Sequence, residues 1–351
     1  MLKGSKKIFG VLAIAVATTL LSGCGGDKKA DVAGTKDGKQ GQPAVTVSLC
    51  HPGVTTHSWQ KACEFMQKEL QNSGTNITLD IYPNNQIASG AKLVEMVQMG
   101  TLDCAAATNM TMSGFISEMD GLSLPMLFDT REKCFYAMDN EVGKYLDELC
   151  QKKGLKILCW WENGVRDITN NTRPIVKPED MKGLSIRIPE SKIFQKTFEA
   201  LGALPTAMPS SEIYTSLQTG VVSGQENAAD YIRDQKYYEV QKYYTESNLT
   251  SSIMGVFIGL EKFNSLTPEQ QKALLDAAHK SAVYQRTLSA QDLKKAREDI
   301  ATHGIKMDKL QDLDAWRKAV QPVYDEYKDT YGEIVKLVKA STDNFKASGK
   351  K

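Results

Sequence analysis

An α/β fold built from two similar units is what this sequence predicts, and three observations carry the prediction. Strand-length apolar runs alternate with amphipathic helical stretches from Ala44 onward, and the same alternation resumes after "GLKILCWWENGVRD". The chain's 351 residues, with ordinary apolar and charged fractions, suffice for two compact domains. Alternating strands and helices imply a largely parallel sheet covered on both faces, and such sheets hold ligands beyond the carboxyl ends of their strands. No tandem repeat is evident.

The N-terminus stands apart from this pattern. Lys3, Lys6 and Lys7 precede "IFGVLAIAVATTLL", an apolar run too short to span a bilayer comfortably, and "LSGC" closes it at Cys24. Residues 1–23 are therefore expected to be an export signal, and no later segment reads as a membrane span. Residues 24–43 lack large apolar side chains and are expected to form a flexible tether.

"AVTVSLC" then reads as a strand, "THSWQKACEFMQKELQNSG" as an amphipathic helix ending at Gly74, and "ITLDIYP" as a strand. "ASGAKLVEMVQMG" is a helix ending at Gly100 and "LDCAAAT" a strand, which completes a βαβαβ opening. In the second unit "GLSIRIP" is a strand, "SKIFQKTFEALG" a helix, "ALPTAM" a short strand and "SSEIYTSLQTG" a helix, and "SGQEN" begins the next element. The last third is mostly helical. Thr267 as N-cap, Pro268 at the first helical position and Gln270 completing a capping box open a long amphipathic helix that runs to His303 and Gly304. Further helices follow "IKMDKL".

The formal net charge of +1 gives no field to gather nucleic acid, so a charged ligand must be met locally. Only four histidines occur. His279 and His303 fall in the helical region, while His51 and His57 lie in the loop after the first strand. There is no HExxH, Walker A or GxSxG motif, and acids such as Glu132 and Glu141 read as a solvated helix face. No enzyme, cofactor or metal is expected on these grounds. Besides Cys24 there are Cys50, Cys63, Cys104, Cys134, Cys150 and Cys159. A chain this long does not need disulfides, so buried free thiols are the default, and Cys50 with Cys104 is the pair to test.

The informative feature is the placement of polar groups after strands. In "GLSIRIPES", Arg187 alternates with Ile186 and Ile188, and Pro189 ends the strand. An edge strand showing its polar face to water would account for this. Arg166 in "NGVRD" lies about twenty residues earlier, also near a strand end, and is expected on a neighbouring strand. The two guanidiniums would then face one cleft, where the planar fork of arginine suits a carboxylate. Asn227 in "SGQENAAD" follows a third such turn and could donate to the same oxygens.

The runs "NGVRDITNNTRPIVKPEDMKGLSIRIPES", "LGALPTAMPSSEIYTSLQTGVVSGQEN" and "QKYYEVQKYYTESNL", with "YPNNQIASGAKLVEMVQMGTLD" before them, resemble the DctP family of extracytoplasmic solute receptors of TRAP transporters. The resemblance extends from Ala44 to about Phe345. It implies the two-domain periplasmic binding protein fold, with a ligand cleft between domains, cross-connecting strands and a long linking helix. Domain I would comprise 44–164 and 254–293, and domain II 165–253 and 294–351. "LSGC" likewise resembles the bacterial lipobox, which implies lipidation of Cys24 and anchoring to the cell membrane from the extracytoplasmic side.

What the family implies is capture of an organic acid (a sugar acid, hydroxy acid or C4-dicarboxylate) and delivery to the small and large subunits of a sodium-coupled permease. Arg187 would form the principal carboxylate salt bridge, with Arg166 and Asn227 assisting. Asn109, Glu162, Asn163, Trp161, His51, His57, Trp59, Ser210 and Tyr214 are candidates for the cleft walls. Each tryptophan reads equally as core, and Glu162 as the orienter of an arginine. Departures bear on the substrate. Ser210 stands where relatives often carry an aromatic residue and Ala228 where they often carry proline. Gly90 and Thr108 align with acids that contact the ligand in sialic acid receptors, which argues against that ligand. A monomer that binds no nucleic acid is expected. A receptor of the same fold that reports its ligand to a signalling membrane protein is the alternative.

Overall fold

The computed structural model describes residues 43–347 with the exception of Asp129, so the export signal, Cys24 and the tether up to residue 42 lie outside the described residues. The βαβαβ opening forms as expected: β1 (Val45–Cys50), α1 (Ser58–Asn72), β2 (Ile77–Tyr82), α2 (Ala91–Gln98) and β3 (Cys104–Thr108). A short helix α3 (Asn109–Met112) and a 3-10 stretch at Ser117–Ser123 lead to α4 (Arg131–Asp139) and α5 (Glu141–Gln151). The chain then crosses in β4 (Leu155–Asn170). β5 (Ser185–Ile188), α6 (Lys192–Ala200), β6 (Leu204–Ala207), α7 (Ile213–Thr219), β7 (Gly224–Ala228) and α8 (Ala229–Asp234) make the second unit. A second long strand, β8 (Tyr243–Gly259), returns, followed by α9 (Leu260–Ser265), α10 (Pro268–Thr302), β9 (Lys306–Lys309), α11 (Leu313–Tyr327) and α12 (Gly332–Ala347).

These strands share one sheet in the order β2-β1-β3-β8-β4-β7-β5-β6, with β9 beside β8. Its flanks are parallel, β1 on β2 and β3, and β5 on β6 and β7. Its centre corrects the expectation of a largely parallel sheet, because β8 runs antiparallel to β3 and β4, and β4 antiparallel to β7. The polar half of β8, "YYTESNLTSS", offers no apolar run to mark it as buried. Pairing on both of its edges holds it instead, since central backbone groups must all find partners.

Three apolar cores pack on this sheet. Val47, Leu49, Trp161 and Met254 meet α1, α8 and α10. Ala105, Trp160 and Phe257 meet α2, α4, α5 and α12, and Ile186 and Ile188 meet α6 and α11. The start of α10 carries the expected capping box: Gln270 N donates to Thr267 Oγ1 and Thr267 N to Gln270 Oε1, each at 3.2 Å. This helix packs along α1, β4 and α8.

β1 and β3 are indeed neighbours, yet Cys50 sits opposite Ala105, and Cys104 opposite Leu49. An offset of one residue sends the two thiols to opposite faces of the sheet, into different cores. All six cysteines of the described residues are free and buried.

Candidate functional site

The parallel strands β3, β5 and β7 end at a cleft of about 680 Å³ of empty space, partly open to solvent. Arg166, Arg187, Asn163, Asn227, Ser210 and Trp59 all line it, and so do Gly90 and Thr108.

Arg187 is brought here by β5, which stops at Pro189 as the sequence predicts. Its side chain is 4 % exposed, and its Nε and Nη2 both donate to Met208 O, at 3.0 and 2.6 Å. Among the described residues no carboxylate forms an ion pair with it. Burial, reinforced by the nearby charge of Arg166 but opposed by Glu226, brings its pKa down to about 10. The guanidinium is still charged at neutral pH, and it is a buried cation without an ion pair among the described residues.

Arg166 projects from β4. The two arginines do not lie on adjacent strands as expected, because β7 runs between β4 and β5. That intervening strand supplies the difference between them. Glu226 accepts from Arg166 Nη2 at 2.8 Å through Oε1 and from Arg166 Nε through Oε2, while its carbonyl takes a further 2.8 Å bond. Burial pushes the Glu226 carboxyl up and Arg166 pulls it back down. The two-oxygen grip on a guanidinium belongs to the carboxylate form, so Arg166 is neutralised within the protein. Asn227 stands on the same strand and donates to Gln225 Oε1 at 3.0 Å.

Other walls come from both units. Asn163 donates to Ser252 Oγ at 2.6 Å, and Trp59 Nε1 to Glu162 O at 2.9 Å. Gly90 has φ +59°, a conformation that disfavours any side chain, so an acid at this position would carry backbone strain as well as charge. Tyr231, hydrogen-bonded to Ser210, is buried beside the cleft.

The remaining candidates lie outside the lining, each with a local partner. His51 Nε2 pairs with Gln60 Oε1 at 3.0 Å, and burial lowers its pKa to about 4. Asn109 donates to Ser123 Oγ at 2.9 Å and Trp161 Nε1 to Ser281 Oγ at 3.1 Å. Tyr214 donates to Glu239 Oε2 at 2.9 Å. Glu162 does orient an arginine: Arg131 Nε and Nη2 reach its two oxygens at 3.1 and 2.6 Å on a separate cavity. His57 caps α1 by accepting from Trp59 N at 3.2 Å, so its proton resides on Nε2, which faces Asp230 Oδ2 at 3.5 Å. Burial drives His57 down to about 3 and Asp230 up to about 8, which leaves both neutral at pH 7.

Sequence reasoning missed Glu226, Tyr231, Glu190 and Asn85. The glutamate within the strand "GQENA" was the available signal, since a carboxylate buried in a sheet requires a cation beside it.

Residues 51–330 match the family described as bacterial extracellular solute-binding protein, family 7, DctP. The 2,3-diketo-L-gulonate-binding periplasmic protein YiaO of Escherichia coli is 33 % identical over 77 % of this chain and 81 % of its own length. The C4-dicarboxylate-binding periplasmic protein DctP of Rhodobacter capsulatus is 30 % identical over 78 % of this chain and 84 % of its own. Among solved structures, the sugar acid binding protein of Advenella mimigardefordensis in complex with galactonate superposes with a TM-score of 0.82 at 25 % identity. That match covers 87 % of this chain and 99 % of the other.

Proposed function

Because the chain belongs to the DctP family, family 7 of the bacterial extracellular solute-binding proteins, we propose that it captures an organic acid outside the cytoplasm for a TRAP transporter. The observation that carries this reading is Arg187, a buried guanidinium in a cleft with no ion-pair partner among the described residues. A ligand carboxylate would supply the missing counter-charge, with Arg166 and Asn227 assisting. It would turn an unfavourable buried charge into a hydrogen-bonded pair. No covalent step is part of the proposal, and no residue is assigned a catalytic role.

In this reading domain I comprises 44–164 and 254–293, and domain II 165–253 and 294–351. Supporting it, β4 carries a register irregularity between Glu162 and Gly164, and Gly164 has φ +103°. That backbone state disfavours side chains, and a Cβ there would meet the Cβ of Ala228 at 3.0 Å. A kink of this kind is suited to a hinge. Arg187, Arg166 and Asn227 then stand on domain II, with Asn163 and Trp59 on domain I. An anion touching both binds the closed form better and shifts the population toward it. The closed, loaded receptor, a monomer, would dock on the small and large subunits of a sodium-coupled permease. Cys24, once lipidated, would hold it at the membrane surface. Among the described residues no helix is long and apolar enough to cross a membrane.

The test is a thermal-shift screen of residues 44–351 against organic acids, each beside its amide. A ligand at one hundred times its Kd adds about 2.7 kcal/mol of stability. The expected result is a shift with an acid and none with its amide. A shift with neither, across sugar acids, hydroxy acids and dicarboxylates, overturns the proposal.

A further inference from the structure

The charges that line the cleft narrow the substrate class, an inference that rests on the carboxylate reading above. Arg166 and Arg187 are the only cationic side chains among the described residues that line it. Arg166 is already held by both oxygens of Glu226, so a single guanidinium remains without an ion pair among the described residues. Among the described residues that line it, the one acidic side chain is Glu190, which is exposed and has no ion pair among those residues. The rest of the polar lining is neutral: Asn85, Thr108, Thr111 and Ser210 carry amide and hydroxyl groups suited to alcohols.

We infer that the cleft takes an acid with one carboxylate and a neutral, hydroxylated remainder, and that Glu190 is the residue that discriminates against a second carboxylate. A ligand with carboxylates at both ends would satisfy Arg187 with one. The other would be left in a cleft with no free cation and with the like charge of Glu190 at its edge. Removing a carboxylate from water without a partner is unfavourable, and like charges add to the cost. A terminal alcohol avoids both, and its hydroxyl can donate to Glu190. The relatives with named ligands include a dicarboxylate binder and a galactonate complex, so membership alone does not decide this point. The charge count does.

The experiment uses pairs of acids that differ only at the far carbon: aldonates and aldarates of four, five and six carbons, titrated calorimetrically into residues 44–351. The expected result is that at least one aldonate binds and that its aldarate binds at least tenfold more weakly. Glu190→Lys should narrow or reverse that ratio by tenfold or more, and Glu190→Gln should narrow it by less. An aldarate that binds as well as its aldonate overturns the inference while leaving the Arg187 clamp standing. A ratio that neither Glu190 variant moves removes Glu190 as the discriminating residue. If neither member of any pair binds and a carboxylate-free solute does, the carboxylate reading itself falls, and this inference with it.

Discussion

Replacing Arg187 by methionine should stabilise the ligand-free protein or leave its stability nearly unchanged, while removing capture. Burial brings the guanidinium from the ordinary arginine value down to about 10. At about 1.36 kcal/mol per pH unit, the fold carries on the order of 3 kcal/mol of unfavourable buried charge at this position. Methionine relieves that term and fills much of the same volume. Against it, Met208 O loses both of its donors from Arg187, which costs about 1–3 kcal/mol if the carbonyl stays dry. The balance lies between about 0 and 2 kcal/mol in favour of the variant. Charged buried residues exchanged for apolar ones of similar size often give the same sign. Binding moves the other way. A ligand carboxylate deprived of its guanidinium loses about 2–5 kcal/mol, or roughly 30-fold to several thousand-fold in Kd. Urea unfolding of the ligand-free proteins and calorimetric titration with the acid found by screening read the two effects separately. A variant less stable than wild type by more than about 2 kcal/mol would make Arg187 a structural residue. One that binds the acid within threefold of wild type would refute the clamp.

Three further outcomes follow from the same geometry. Asp230, raised to about 8 chiefly by burial and then by Asp234 and Asp292, keeps a proton in the folded state that the unfolded chain releases near pH 4. The stability this contributes is complete below pH 4 and is lost as pH rises through 8, whereas the lowered His57 acts oppositely and only below about 6.5. Asp230→Asn should therefore flatten a decline of up to about 1.4 kcal/mol per pH unit between pH 6.5 and 8; an unchanged slope in urea melts would assign the decline elsewhere. Arg131→Ala strands the buried Glu162 carboxylate and should cost about 3 kcal/mol without altering ligand affinity, a reading overturned by a loss below about 1 kcal/mol. Thiol titration of residues 44–351 should find six thiols after denaturation and almost none before it, because burial pushes groups such as Cys150 and Cys159 up to about 12. Four thiols after denaturation would mean a disulfide, against the free state of all six cysteines in the structure.

Much of this protein is legible without coordinates. Periodicity located the βαβαβ opening, and the capping box at Thr267 located the start of α10, because both signals are local and rest on side chains a few residues apart. Arg187 was visible for the same reason: a strand, an alternation and a proline place it at an end. The polar half of β8 was not visible, since its stability comes from backbone pairing on two edges. The wall residues divided likewise. His51, Asn109, Trp161 and Glu162 are polar or aromatic groups near the cleft in sequence, but each is turned toward a partner that only the fold supplies.

By itself, then, the sequence determined the family, the alternating elements of the two βα stretches and the strand that delivers an arginine to the cleft. Only the tertiary structure decided how much of the arginine charge remains available. Arg166 and Arg187 look equivalent along the chain, and they differ because β7 inserts between their strands and presents Glu226 to one of them. Ion pairing depends on distances of a few ångströms between residues sixty apart, and no local pattern encodes that distance.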